Sequence, residues 1–367
     1  MEIATLALLE ELDAAHVPYS RVNTADPNDT LENRGRWTSH NALLALRDIG
    51  VMARRAAARD VRAVYLPFAQ EFPGLLRDVI FIAIGNVLRK PVIVHLHGGS
   101  FGNYFLSRRR LTRLALRATI GRAAIGIVLT ENLRPSLECI LPKERVVVVS
   151  NGVDLLSPID SVTAPVGEVR FLFLSSLIPS KGTLVFLEAF AEAFNVRPSL
   201  RATMAGTWPS AELQDEMRGL AERLEVQHVV NFVGPVYGEE KASLFADADA
   251  FCLPSYYPLE GQPLVVIEAM AAGLPVIATA WRGIADTVDD EVTGFLIARA
   301  DAGLLAERMI YLADRPDERQ RLGRAGRVRY ETSFTQRAFG DRMVKVLAPF
   351  LTHSVGSRAS SSHKRLR

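Results

Sequence analysis

A chain of 367 residues has room for two or three domains of ordinary size, and 49% hydrophobic with 23% charged residues is the balance of a globular protein. A formal net charge of +2 argues against a dedicated nucleic-acid binder. The two cysteines, Cys139 and Cys252, lie far apart without metal-ligand spacing, so they read as small buried apolar residues in a reducing, cytosolic setting rather than as a disulfide or zinc site.

Ile3 to Ala15 carries apolar residues at helical spacing. Val17 to Val22 reads as a strand, Asp26 to Arg34 as a loop, and Trp37 to Ala58 as a long helix broken near Gly50. Then come a strand over Val61–Leu66, a helix over Phe72–Leu88, and a strong buried strand over Pro91–Leu96 that runs into His97-Gly98-Gly99-Ser100. Arg108–Arg122 reads as a helix, Ile125–Leu129 as a strand, Leu133–Ile140 as a helix and Val146–Val149 as a strand.

After Asn151-Gly152-Val153-Asp154, a Pro/Ser/Gly-containing stretch to Gly167 reads as a linker. A second alternation follows, with strands over Val169–Leu174, Ala202–Ala205, Val229–Phe232, Ala250–Leu253, Val276–Ala278 and Gly294–Ile297. Its helices are Thr183–Phe194, Ala211–Leu224, Glu239–Ala246, Leu264–Ala272 and Leu304–Leu312, and two more, Asp317–Thr332 and Gln336–Leu351, close the fold. Strands alternating with helices mean parallel sheets covered on both faces, hence an α/β fold of two doubly wound, Rossmann-like domains facing across a cleft. The domains expected are 1–154 and 155–333. A helix over 334–352 packs back on the first domain, and 353–367 is a disordered basic tail.

One stretch, Tyr256 to Gly273, organises the second half. Pro263 suits the first position of a helix and Gly273 its end, so Glu260 lies in the loop before the helix and Glu268 roughly 7.5 Å into it. The helix is apolar nearly all round, so an ionised Glu268 needs a partner. Its N-terminus offers free backbone N–H groups to an anion. A nucleotide-sugar fits that order: ribose at Glu268, diphosphate at the helix end, sugar at Glu260. An Arg or Lys salt bridge to Glu268, with Glu260 solvated, fits equally well.

Lys181-Gly182 opens the first helix of the second domain, where the helix dipole disfavours a cation, so a phosphate ligand is the better reading. His97 ends a strand ahead of two glycines and reads as functional, whereas His95, two residues earlier, reads as a core histidine. Asp247-Ala248-Asp249 reads as a cap and turn rather than a metal site. Arg108, Arg109, Arg110, Arg113, Arg117 and Arg122 share one stretch without an acid, with Leu106, Leu111, Leu114, Leu116 and Ile120 on its apolar side. That is either a face that docks on an anionic bilayer or a solvated basic helix packed on the sheet. No apolar run reaches the ~20 residues of a membrane span, and no basic-then-apolar leader opens the sequence.

Together, the Glu260–Glu268 stretch, Lys181-Gly182, Asn151-Gly152-Val153-Asp154 and Phe251-Cys252-Leu253-Pro254-Ser255 resemble retaining glycosyltransferases of family 4, the glycosyl transferases group 1, with the GT-B fold. The resemblance implies metal-independent transfer of a sugar from a nucleotide-diphosphate donor to a glycan or lipid-linked acceptor, with the anomeric configuration kept and no further cofactor. It makes Glu260 and His97 catalytic. It gives Lys181, Glu268, Gly261, Gln262, Leu264, Val265, Ser176, Gly98 and Gly99 to the donor. It places the acceptor on 1–154 and the nucleotide-sugar on 155–333. With the basic Arg108–Arg122 stretch, the expectation is a cytoplasmic protein of surface polysaccharide or glycolipid synthesis that can contact the inner face of the plasma membrane.

Two departures stand out. Ser176 occupies the place of the family's usual arginine, a loss of about 1.5–3 kcal/mol of charge-assisted contact unless Ser176 or Arg282 substitutes. The family also begins with a central strand and glycine loop, whereas this sequence begins at the helix that should follow. The expectation is a start placed too late or an impaired protein, with strands left unpaired.

Overall fold

Two runs of alternating strands and helices fold into two separate parallel sheets. The computed structural model describes residues 2–24, 39–70, 72, 74–154 and 167–351. The loop expected over 26–34, most of the linker and the tail over 353–367 lie outside the described residues.

The first domain comprises α1 (Glu2–Ala14), α2 (Ser39–Ala56), β1 (Val64–Phe68), α3 (Gly74–Val87), β2 (Val92–Leu96), α4 (Phe101–Ser107), α5 (Arg110–Thr119), β3 (Ile125–Val128), α6 (Pro135–Glu138) and β4 (Val146–Val148). Its strands stand in the order β1-β2-β3-β4, all parallel. Val92–Leu96 is buried along its whole length, as an unbroken apolar run covered on both faces must be. Among the described residues, no strand pairs with the outer edge of β1.

Three expectations fail here. Val17–Val22 is irregular backbone, with no strand beside it among the described residues to supply ladder bonds. The helix over Trp37–Ala58 is α2, unbroken at Gly50. The basic helix is shorter than its sequence suggests: Arg108 and Arg109 are extended, with ψ 154° at each, and separate α4 from α5, which ends in a 3-10 turn over Ile120–Arg122. Leu116 and Ile120 are buried, but Leu106, Leu111 and Leu114 face outward beside the arginines, so the apolar side is only half covered.

The second domain comprises β5 (Val169–Leu174), α7 (Thr183–Val196), β6 (Leu200–Ala205), α8 (Ala211–Arg223), β7 (Val230–Val233), α9 (Gly238–Asp247), β8 (Ala250–Leu253), α10 (Leu264–Ala271), β9 (Val276–Thr279), α11 (Ile284–Thr287), β10 (Gly294–Ile297), α12 (Ala302–Asp314) and α13 (Pro316–Ser333). The sheet order is β10-β9-β8-β5-β6-β7, so the chain reverses direction between β5 and β8. That switch point puts the loops after β5 and β8 side by side at the C-terminal edge. A last helix, α14 (Gln336–Leu351), returns to the first sheet, where Phe339, Met343 and Leu347 pack with Leu8 and Leu12 of α1 on Ile93 and Ile127. Among the described residues, no helix is long and apolar enough to cross a membrane.

Candidate functional site

The switch point brings Lys181, Glu260 and the start of α10 together. Pro263 sits one position ahead of its expected place, as the extended residue before the helix (φ −68°, ψ 124°), and Gly273 ends it in the left-handed region (φ +75°). The backbone N–H groups of Leu264 and Val265 have no hydrogen-bond partner among the described residues. Lys181 lies in a 3-10 turn over Pro179–Lys181 and reaches both oxygens of Glu260, at 3.0 and 2.8 Å. The Ser255 hydroxyl donates to the same carboxylate at 2.6 Å, and the Lys181 ammonium stands 4.9 Å from the Tyr257 ring centroid. Glu260 is only 5% exposed, so the reading of it as solvated fails.

Glu268 has the lysine partner that its burial demands, Lys241 of α9, at 2.6 Å on Oε1. Its Oε2 is buried with no partner in the described protein. A buried carboxylate oxygen left without a donor is costly, so this oxygen is an acceptor held ready. Nothing in the local sequence points to Lys241, which lies on a different helix and meets Glu268 only through the fold.

The first domain closes on this loop backbone to backbone. A Cβ on Gly261 would stand 2.0 Å from the His97 carbonyl oxygen, and one on Gly98 2.6 Å from the Leu259 carbonyl oxygen. A Cβ on Gly99 would stand 2.9 Å from the Glu260 carbonyl oxygen. Only glycines permit that approach. Burial pushes the His97 imidazole down to about 3, so the ring is neutral at physiological pH, and its Nε2 has no partner. His95 is a core residue: fully buried, its Nδ1 is 2.7 Å from the Tyr65 hydroxyl, and its ring centroid lies 4.0 Å from that of His97.

Gln262 takes a different place from that expected, whereas Cys252 and the Asp247–Asp249 turn sit as expected. Gln262 turns its side chain to the hinge: its Oε1 accepts from the Asn151 N–H at 2.7 Å and its Nε2 donates to the Thr287 hydroxyl at 3.1 Å. Both ends of the amide are thereby used. Ser176 is exposed, and no side-chain hydrogen bond joins it to another described residue. Arg282 lies in the cleft and donates from Nη1 to the Gly99 carbonyl. Asp249 accepts from the Arg170 backbone N–H at 2.8 Å, with Asp247 3.9 Å from the same arginine's guanidinium. Cys252 is buried with its thiol pushed up by burial, and Cys139 is half-buried.

Residues 159–329 match the family model of glycosyl transferases group 1, just under half of the chain. Anabaena HepE, crystallised with UDP and glucose, superimposes over 93% of this chain and 89% of its own with a TM-score of 0.68, at 19% identity. Sucrose-phosphate synthase of Thermosynechococcus elongatus superimposes over 95% and 92% with a TM-score of 0.72, at 22% identity. The fold is GT-B. In sequence, WcaL of Escherichia coli strain K12, named as a glycosyltransferase of colanic acid biosynthesis, is 29% identical over 213 residues, 56% of this chain and 52% of its own. The chain spans about half the length of the curated relatives it matches.

Proposed function

We propose that this GT-B chain is a retaining glycosyltransferase that moves a sugar from a nucleotide-diphosphate donor to a glycan or lipid-linked acceptor in surface polysaccharide or glycolipid synthesis. The carrying observation is the unpartnered Oε2 of Glu268 behind the free N–H groups of Leu264 and Val265. One line of groups then accepts from a ribose hydroxyl and donates to a diphosphate. The likeness to WcaL and the UDP bound to HepE support the same assignment.

In this reading the Lys181–Glu260 pair is the resting arrangement. An arriving diphosphate draws Lys181 away, and Glu260, still held by Ser255, turns its freed oxygen to a hydroxyl of the donor sugar. Neutral His97 hydrogen-bonds the sugar from the opposite domain. As the bond between the anomeric carbon and the diphosphate breaks, charge grows on the leaving oxygens. Lys181 and the end of α10 stabilise it without a metal ion. The acceptor oxygen bonds the anomeric carbon on the face the diphosphate leaves, its proton passes to the leaving phosphate, and configuration is kept.

Release of nucleoside diphosphate in the presence of acceptor tests this. Glu260→Gln should cut turnover at least ~100-fold while donor binding persists. A glycosyl group trapped on Glu260 would overturn the proposed route. Ser176, in the usual arginine position, favours a second reading: a non-catalytic nucleotide-sugar binder acting as a partner subunit, diagnosed by donor binding without turnover. The membrane contact is assigned to α5 and its flanks, where among the described residues none of the six arginines forms an ion pair and Leu111 is 81% exposed.

A further inference from the structure

Beyond the donor groups, the C-terminal edge of the second sheet carries two arginines that the proposed reaction leaves unused. The loops along that edge follow the strand order: Arg299 after β10, Trp281-Arg282 after β9, Tyr256 to Glu260 after β8, Lys181 after β5. They are strapped together. Trp281 Nε1 donates to the Tyr257 carbonyl at 2.9 Å, the Gly283 N–H to the Gly261 carbonyl at 3.1 Å, and the Tyr256 N–H to the Ser180 carbonyl at 2.8 Å. The Trp281 ring carries both guanidiniums, Arg282 at 5.1 Å and Arg299 at 5.5 Å from its centroid, and Arg299 also stands 5.0 Å from the Tyr256 ring.

Lys181 has Glu260 for a counter-charge; these two have none. Among the described residues, neither arginine has a carboxylate within ion-pair distance. Arg282 is the more telling. Its backbone is in the left-handed region at φ +51°, an uncommon conformation for a residue other than glycine. Its Nε is buried without a partner, and burial presses the group toward the neutral form. The side chain lines the spot where Glu260 meets the first domain: a Cβ on Gly99 would stand 2.7 Å from Arg282 Cδ and 2.9 Å from the Glu260 carbonyl oxygen. Two uncompensated cations on one indole, displaced from Lys181 across the width of β8, leave a charge deficit on the sugar side of Glu260 and away from the diphosphate.

We propose that Arg282, Arg299 and the Trp281–Tyr256 aromatic pair form a subsite for an anionic group, a carboxylate or a phosphate, on the acceptor saccharide. The inference rests on the donor assignment above and deepens it. Guanidiniums fixed on aromatic faces are pre-oriented for planar, bidentate recognition of such groups. The first domain's Gly99 carbonyl holds Arg282 until the acceptor arrives.

The test is titration of the full chain, saturated with a nucleoside diphosphate, with methyl glucoside, glucuronate, glucose 6-phosphate and inorganic phosphate at low salt. Glucuronate or glucose 6-phosphate, whichever source of charge the site takes, should bind roughly tenfold or more tighter than methyl glucoside. That preference should collapse in Arg299→Met and in Arg282→Gly, with nucleoside diphosphate affinity unchanged. Arg299 is exposed, and glycine relieves the backbone at 282, so both variants should fold. Equal binding of charged and neutral sugars would overturn the proposal. So would inorganic phosphate binding as well as the sugar phosphate, or a loss of nucleoside diphosphate affinity in either variant, which would return the arginines to the donor. Failure of the donor reading shows separately, as no nucleoside diphosphate binding by the unaltered chain, and would take the subsite with it.

Discussion

Among the described residues, the second domain packs its sheet into one core, whereas the first domain's sheet is covered in part by a helix from the far end of the chain. Six strands with β5 and β8 inside the sheet give one continuous core from Val169 to Phe334. The first domain has four strands, an outer edge on β1 without a neighbouring strand among the described residues, and its apolar side chains divided between two clusters. One of those clusters is built by α1 together with α14, which crosses back to cover it. Leu76, Val87, Leu106, Leu111 and Leu114 are exposed on the same domain. The lesson is a division of labour in packing: the second half holds the Lys181–Glu260 and Lys241–Glu268 pairs on one core, and the first half leans on a helix from the far end of the chain.

The comparison can be broken most sharply at the site. Lys181→Ala should lower turnover at least ~100-fold by removing a preorganised donor, and it should also lower the melting temperature, because the buried Glu260 carboxylate loses its cation and keeps only Ser255. Normal activity would detach function from the second domain. Next in size is Phe339→Ala on α14, expected to cost about 3–5 kcal/mol. Hydrogen exchange should show the loss in β2 and β3 while β5 and β6 stay protected. Equal loosening of both sheets would contradict the asymmetry.

Gly261→Ala should follow, since its methyl meets the His97 carbonyl and the two domains must part to admit it. A destabilisation of about 1–3 kcal/mol with a rise in the Michaelis constant is expected, read by melting and steady-state kinetics.

The pH dependence has a definite sign. His97 is held neutral by burial down to about 3, and His95 well below its usual value for the same reason, against 6.5 unperturbed. Between pH 6.5 and 3 the unfolded chain therefore binds more protons than the folded one, so stability rises with pH in that window and is independent of these rings above it. Melting curves should show His97→Gln flattening the slope. The smallest effect on the fold belongs to Arg110→Glu on α5, within about 0.5 kcal/mol, while co-sedimentation with phosphatidylglycerol vesicles should fall.

How much of this was legible in the sequence differs between the domains for the same reason. Ala250–Leu253 is buried end to end and Val169–Leu174 at every position but Arg170, and their apolar runs announce them. Val17–Val22 has a strand's composition but no neighbouring strand among the described residues, and composition alone does not supply one. Arg108 and Arg109 interrupt a stretch whose periodicity is helical throughout, with Phe101 and Phe105 of α4 and Leu116 of α5 buried in one cluster on either side of the break. At the site, Glu260, Glu268, Lys181 and His97 were visible through spacing and helix-end logic. Lys241 was not, since the partner of Glu268 is chosen by how α9 lies beside α10. Gln262 looked like a ligand group from its place in the loop, and only the fold reveals Asn151 and Thr287 at its two ends.

Calorimetric titration with UDP and GDP of the unaltered chain, Lys181→Ala and Glu268→Ala bears most directly on the claim that α10 and its two glutamates hold the donor. The account predicts that at least one nucleotide binds, that both substitutions weaken it roughly tenfold or more, and that Arg299→Met leaves it unchanged. Absence of binding, or binding indifferent to Lys181 and Glu268 alike, would contradict it.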